Sequence, residues 1–166
     1  FDTRFGCVGL LICEEMWHSL PSTILAVGGA ELIIAVSASP ARDFTPGGEG
    51  RPHNLSRWEA LAPATALEHG VFVVVSQLVG SEGGKVFPGG SIVVAPDGAV
   101  LARGPLFEEG VTVAELESVA LDRARVASPL LADLEQTLPH LQASLAAAQS
   151  PDAARPSDRG GPDPAG

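Results

Sequence analysis

Gly9-Leu10-Leu11-Ile12-Cys13-Glu14-Glu15-Met16-Trp17 passes without a break from an apolar stretch into a cysteine, two acids and a tryptophan. Val8 to Ile12, counting Gly9, is apolar at every position. Strands with one solvated face alternate apolar and polar residues, whereas strands buried on both faces, as in a parallel sheet, do not. The stretch therefore predicts a buried parallel strand with Cys13 at its carboxyl end. In open α/β sheets that end is where ligands meet the protein. A strand that stops at a thiol is one way of presenting a nucleophile.

Working outward, strand and helix signals alternate. Phe5 to Ile12 is the first strand, and Pro21 to Ala30 reads as a helix with Pro21 in its first turn and Gly28-Gly29 near its end. Glu31 to Ser37 is a second apolar strand. Residues 38–54, rich in Pro, Gly and Arg, form a loop long enough to be functional. Ser56 and Glu59 fit a capping box opening a helix that buries Trp58, Leu61, Ala62 and Thr65 and closes at His69-Gly70. Pro63 predicts a kink in it. Val71 to Ser76 is a third strand.

The pattern then changes. Ser91 to Ala95, the turn Pro96-Asp97-Gly98 and Ala99 to Arg103 read as a β-hairpin, and Val111 to Leu116 as a further strand. From Val119 the chain reads as helical, with Leu134, Leu138, Leu141 and Leu145 forming a narrow seam interrupted by Pro139. After Ser150 no large apolar residue occurs, and 151–166 reads as a disordered tail. Strand–helix–strand–helix–strand followed by a hairpin is the order of an α/β fold.

Composition narrows the function. The 166 residues are enough for one domain, and 45% are hydrophobic, as in globular proteins. Ten basic residues against twenty acidic ones give a net charge of −10. That balance argues against a nucleic-acid partner and against an anionic membrane surface. No apolar run reaches the ~18 residues that span a bilayer. Cys7 and Cys13, six steps apart on one strand, are about 20 Å from each other, too far for a disulfide. Two free thiols suit a reducing compartment, so a cytoplasmic protein is expected.

Cys13 cannot be activated by its neighbours. A free thiol is only a few per cent thiolate at neutral pH, and attack requires a base or a positive charge beside it. Glu14 and Glu15, the nearest charges, have the wrong sign. Cys7, in mid-strand, reads as structural. Lys85, the sole lysine, lies in a Gly-rich loop, Gly80 to Lys85, and reads as a solvated surface residue. That stretch is not a P-loop, because Val79 and Val86 occupy positions that need Gly and Ser or Thr. His18, His53, His69 and His140 show no metal-ligand spacing, so no metal is expected.

The quoted stretch resembles the nucleophile motif of the nitrilase (carbon–nitrogen hydrolase) superfamily, and the sequel resembles it in order. The matching segments are Gly29-Ala30-Glu31-Leu32-Ile33-Ile34, Ser37-Ala38-Ser39-Pro40, Trp58 through Glu68-His69, Phe87-Pro88-Gly89-Gly90-Ser91, Pro96-Asp97-Gly98 and Ala114-Glu115-Leu116. Cys-Glu-Glu-x-Trp with Ser-Ala-Ser-Pro is most similar to the glutamine-amidase domains of glutamine-dependent NAD synthetases and their stand-alone relatives. Residues 1–150 would thus be the C-terminal portion of a hydrolase domain.

The resemblance implies a four-layer αββα sandwich and a Glu–Lys–Cys mechanism. Cys13 would attack a linear amide or nitrile, through a thioester and without a cofactor. The Glu14 backbone N–H would stabilise the oxyanion. Trp17, Ser39 and Arg42 would contact the substrate. The family's Glu and Lys precede its Cys, and none of the twelve residues before Cys13 is Glu or Lys. The expectation is a fragment of an enzyme, inactive by itself, whose intact form is a homo-oligomer. The alternative is a non-catalytic nitrilase-like module with an assembly or regulatory role.

Overall fold

A computed structural model describes residues 1–42 and 51–150. Contacts divide the chain into two units, Phe1–Ala132 and Asp133–Gly166. In the first, β1 (Asp2–Thr3) turns back antiparallel onto β2 (Gly6–Ile12). A short 3₁₀ helix (Cys13–Trp17) and α1 (Ser19–Val27) lead to β3 (Leu32–Ser37), and α2 (His53–His69) leads to β4 (Phe72–Gln77). β2, β3 and β4 are parallel neighbours, with Leu11 opposite Ala35 and Ala35 opposite Val75. Parallel neighbours need crossovers, and α1 and α2 are those crossovers.

A small hairpin, β5 (Val79–Glu82) and β6 (Lys85–Pro88), follows. β7 (Ile92–Val94) then pairs antiparallel with β4, and β8 (Val100–Arg103) with β7, so the main sheet runs β1-β2-β3-β4-β7-β8. α3 (Ser118–Ala127) follows. The mixed sheet with its helices is the expected α/β class.

The core lies between one sheet face and two helices. Leu11, Ile33, Ala35, Val73, Val75, Ile92 and Val94 point towards Ala26 of α1 and Trp58, Ala62 and Ala66 of α2. Gly9 belongs to this face because α1 crosses it closely: a Cβ there would sit 2.8 Å from Leu25 Cδ1. On the opposite face Leu10, Ile12 and Val36 remain about half exposed, at 49%, 58% and 47%. Lower on that face Phe72 packs with Leu121 of α3. The apolar-throughout pattern of β2 and β3 is therefore distributed over both faces, only one of which is helix-covered along its length.

Several expectations are corrected. The Ser56 capping box does not form: α2 begins at His53, after Pro52, with Ser56 already inside it and exposed. The earlier start is held by Asn54. Its Nδ2 donates to Ser39 Oγ (2.9 Å) and the Pro40 carbonyl (2.8 Å), and its Oδ1 accepts the Arg42 N–H (3.1 Å). Glu59 pairs instead with Arg51 and Arg103. The helix closes at His69 with Gly70 left-handed (φ 59°), as the sequence predicts.

The Gly-rich stretch is not a loop but the β5–β6 hairpin. Gly83 and Gly84 take positive φ (56° and 76°), as a two-residue turn of primed type requires. Val111 to Leu116 forms no strand. Val111 and Val113 are 92% and 83% exposed, and β-prone residues without a ladder partner make none. α4 (Leu130–Gln149), which lies in the second unit from Asp133 onward, runs through Pro139 without a break, with Leu141 and Leu145 exposed. Pro63 likewise lies within continuous α2. The expected tail at 151–166 and part of the 38–54 loop, 43–50, lie outside the described residues.

Among the described residues no helix is long and apolar enough to cross a membrane. Both cysteines are free.

Gly90 carries a prediction. Its φ is +79°, and a Cβ would lie 2.9 Å from both Leu106 Cδ2 and Leu55 Cδ1. Gly90→Ala is expected to cost about 1–3 kcal/mol, from backbone strain and overpacking together. Urea denaturation will measure it, and a loss below about 0.5 kcal/mol would contradict the crowding.

Candidate active site

Cys13 follows β2 directly, in a conformation that side chains avoid. Its φ is +49°. Among the described residues only Phe107 (φ 59°) shares this property outside glycine. Such strain costs of order 1–3 kcal/mol and persists where surrounding structure enforces it. Here the enforcement is local. Glu15, two residues on, reaches back so that Oε2 accepts the Ile12 N–H at 2.6 Å. That bond closes the 3₁₀ helix over the strand end, and Met16 (1% exposed) pins the turn into the core. A strained strand-to-helix turn that exposes a nucleophile is also the device of hydrolase elbows.

The turn delivers Cys13 to a cleft of about 660 Å³ at the carboxyl ends of β2, β3 and β4. Ile12 and Val36 supply apolar wall, and Ser37, Gln77 and Glu109 supply polar groups. Ser37 Oγ donates to Cys13 Sγ across 3.4 Å, which fixes where the sulfur sits. Gln77 lies opposite Ser37 on β4, and its backbone N–H donates to Ser91 Oγ (3.0 Å). Its side-chain Nε2 is buried and has no hydrogen-bond partner among the described residues. A buried donor without an acceptor is costly.

The remaining sequence candidates are placed differently. Glu14 follows Cys13, so its N–H stands beside the thiol's own backbone, while its exposed side chain lies 3.9 Å from His18 Nε2. Trp17 does not line the cleft. It packs edge-on against Trp58 (centroids 5.5 Å apart, planes at 67°) under the Arg57 guanidinium, 4.7 Å from its ring. Ser39 is buried and held by Asn54. Arg42 is exposed, and its N–H is bound to the same asparagine. These three are not among the described residues lining the cleft with Cys13. Lys85 is exposed on β6. Among the described residues no group of three or more His, Cys, Asp or Glu is placed to hold a metal ion.

Ser37, Gln77 and Glu109 were missed by sequence reasoning. The first two carried a signal: each is a polar residue two positions past a buried one (Ala35, Val75) on the helix-facing side of a parallel strand. Polar side chains at the end of an inward row belong to a site more often than to a core. Glu109 comes from a distant segment and carried none.

The Glu15 cap is testable. Glu15→Ala removes a charge-assisted bond to the Ile12 N–H and is expected to cost about 1–2 kcal/mol of stability. The variant should also change the rate at which Cys13 reacts with a neutral thiol reagent. An unaltered denaturation midpoint would show that the cap contributes nothing.

The carbon-nitrogen hydrolase family model matches residues 1–126. A glutamine-dependent NAD(+) synthetase of Rhodobacter capsulatus is 33% identical over 138 residues, 80% of this chain and 23% of that protein. A carbon-nitrogen hydrolase from Helicobacter pylori G27 superposes with a TM-score of 0.72 at 28% identity, over 80% of this chain and 48% of that one. A variant of the amidase from Nesterenkonia sp. AN1 superposes with a TM-score of 0.57 at 29% identity, over 72% of this chain and 41% of that one. It carries the acetamide moiety of fluoroacetamide covalently on its active-site cysteine. The chain thus spans under a quarter of the curated relative and about half of the solved ones. Over most of its length, and in fold, the chain belongs to the carbon-nitrogen hydrolase family of the nitrilase superfamily.

Proposed function

We propose that Cys13 is the acyl-accepting nucleophile of an enzyme that hydrolyses linear amides or nitriles, with an ω-amide such as that of glutamine the first to test. The carrying observation is the placement of Cys13: a strained turn holds its sulfur at the mouth of the cleft, 3.4 Å from Ser37 Oγ. The relative's dependence on glutamine and the amidase's covalent cysteine adduct support the substrate class and the attacking atom.

For an amide, the thiolate attacks the carbonyl carbon. The Glu14 N–H donates to the oxyanion, and one such donor is worth about 3–4 kcal/mol. The C–N bond breaks, ammonia leaves with a proton from the general acid, and water hydrolyses the thioester to the carboxylic acid. Gln77, which lines the cleft, would lie near the substrate's polar end. The general base and oxyanion lysine come from outside these 166 residues, so the chain by itself releases no ammonia. The enzyme works without a cofactor, as a cytoplasmic homo-oligomer.

A thiol-directed electrophilic amide analogue tests this reading by mass spectrometry. The label is expected on Cys13. Label confined to Cys7, or absent from the protein when joined to its Glu- and Lys-bearing segment, would overturn it.

A further inference from the structure

We infer that Asn54 is a positioning residue for the proposed reaction: it registers the loop that leaves β3 against the helix that also braces the cysteine turn, and so sets the shape of the cleft around Cys13. The inference rests on the reading of Cys13 as nucleophile. A side-chain amide carries two N–H donors and an acceptor oxygen, and Asn54 turns both ends on one loop. Its Nδ2 donates to Ser39 Oγ at 2.9 Å and to the Pro40 carbonyl at 2.8 Å, while its Oδ1 accepts the Arg42 N–H at 3.1 Å. Asn54 is 7% exposed, so these bonds form where each counts for more than it would in water.

The loop that Asn54 holds is part of the cleft. It begins at Ala38, a lining residue, directly after Ser37, whose Oγ donates to Cys13 Sγ across 3.4 Å. The Ser37 carbonyl accepts the Leu78 N–H at 2.8 Å, and the Ala41 N–H donates to the Val86 carbonyl at 2.7 Å. Those backbone bonds tie the loop to the side of the β5–β6 hairpin. Asn54 ties it to α2.

α2 holds the cysteine turn as well. Asn54 and Trp58 are four residues apart, so they share one face of the helix, and both are buried. Trp58 packs edge-on against Trp17, which ends the 3₁₀ helix begun by Cys13. The first turns of α2 thus grip the Cys13 side of the cleft through Trp58 and the Ser37 side through Asn54. Removal of the Asn54 amide leaves the thiol its brace and lets the wall beside it shift.

Two neutral thiol reagents of different size test this on the 166-residue chain, with modification read at the Cys13 peptide by mass spectrometry. N-Ethylmaleimide and the bulkier N-phenylmaleimide react by one step: the thiolate attacks a carbon of the ring C=C bond, and solvent protonates the neighbouring carbon. The ratio of the two rates, phenyl over ethyl, cancels the thiolate fraction and reads the shape of the cleft. Asn54→Ala is expected to raise that ratio about fivefold, the equivalent of one net hydrogen bond. Ala62→Gly weakens the same helix in the core, away from the loop, and is expected to move the ratio less than about twofold. Urea denaturation establishes that each variant is folded at the temperature used. If Asn54→Ala does not fold, Asn54→Asp, which keeps the acceptor for the Arg42 N–H and loses both donors, is expected to raise the ratio about threefold. A shift at Asn54 no larger than that of Ala62→Gly would overturn the positioning role and leave the nucleophile standing. A Cys13 inert to both maleimides would instead overturn the nucleophile.

Discussion

Under the proposed function, Cys13→Ala is expected to lower amide hydrolysis by about 10³-fold or more, measured as ammonia release by a protein that supplies the proposed Glu and Lys. Cys13 carries the one thiol among the described residues that line the cleft. Ser37 Oγ is close to the sulfur, but it is a hydroxyl donating to that sulfur and has no base of its own among the described residues. Ser37→Ala keeps the nucleophile and frees its orientation, so a smaller loss, of about tenfold, is expected. Cys7→Ala serves as the contrast, because Cys7 sits near the start of β2 and is not among the described residues lining the cleft, so its loss should leave hydrolysis intact. Ammonia release that survives Cys13→Ala would remove the thioester mechanism.

The largest effect on stability is expected from Trp58→Ala. Trp58 is 1% exposed and fills the space between α2 and the sheet, edge-on to Trp17. Truncation of a buried tryptophan costs about 3–5 kcal/mol. Domains of this size are stable by about 5–15 kcal/mol, so the variant stands near the edge of folding. Urea denaturation measures the loss. Because Trp17 belongs to the 3₁₀ helix that begins at Cys13, the lost partner should also change the reactivity of the thiol at temperatures where the variant is folded. A cost under about 1.5 kcal/mol would mean that the core closes around the gap.

The parallel strands and their crossovers could be read from the chain because their signal is intrinsic: apolar runs end at turn residues, and Gly70 can close α2 in the left-handed region at no steric cost. The start of α2 could not, since it depends on Asn54 meeting Ser39, Pro40 and Arg42 through the fold rather than on Ser56 meeting Glu59 along it. The β5–β6 hairpin was hidden by its polar flanks, Ser81-Glu82 and Lys85, although Gly83-Gly84 is a strong turn signal. At the site, the position of the thiol at the end of the first parallel strand follows from the sequence of the turn. Ser37, Gln77 and Glu109 converge on the cleft only because β3, β4 and the turn after Phe107 are brought side by side.

Strand β3 has a consequence for folding fidelity. From Leu32 to Val36 every residue is apolar, so a slip of one position against β2 or β4 would still place apolar side chains on both faces of the sheet. Burial alone discriminates weakly between the two alignments. The slip would, however, turn Ser37 to the face away from Cys13. Misaligned molecules would therefore be compact yet lack the contact that fixes the sulfur. The fraction of molecules with a correctly held thiol, rather than the fraction folded, is the quantity that mutations in β3 should change first.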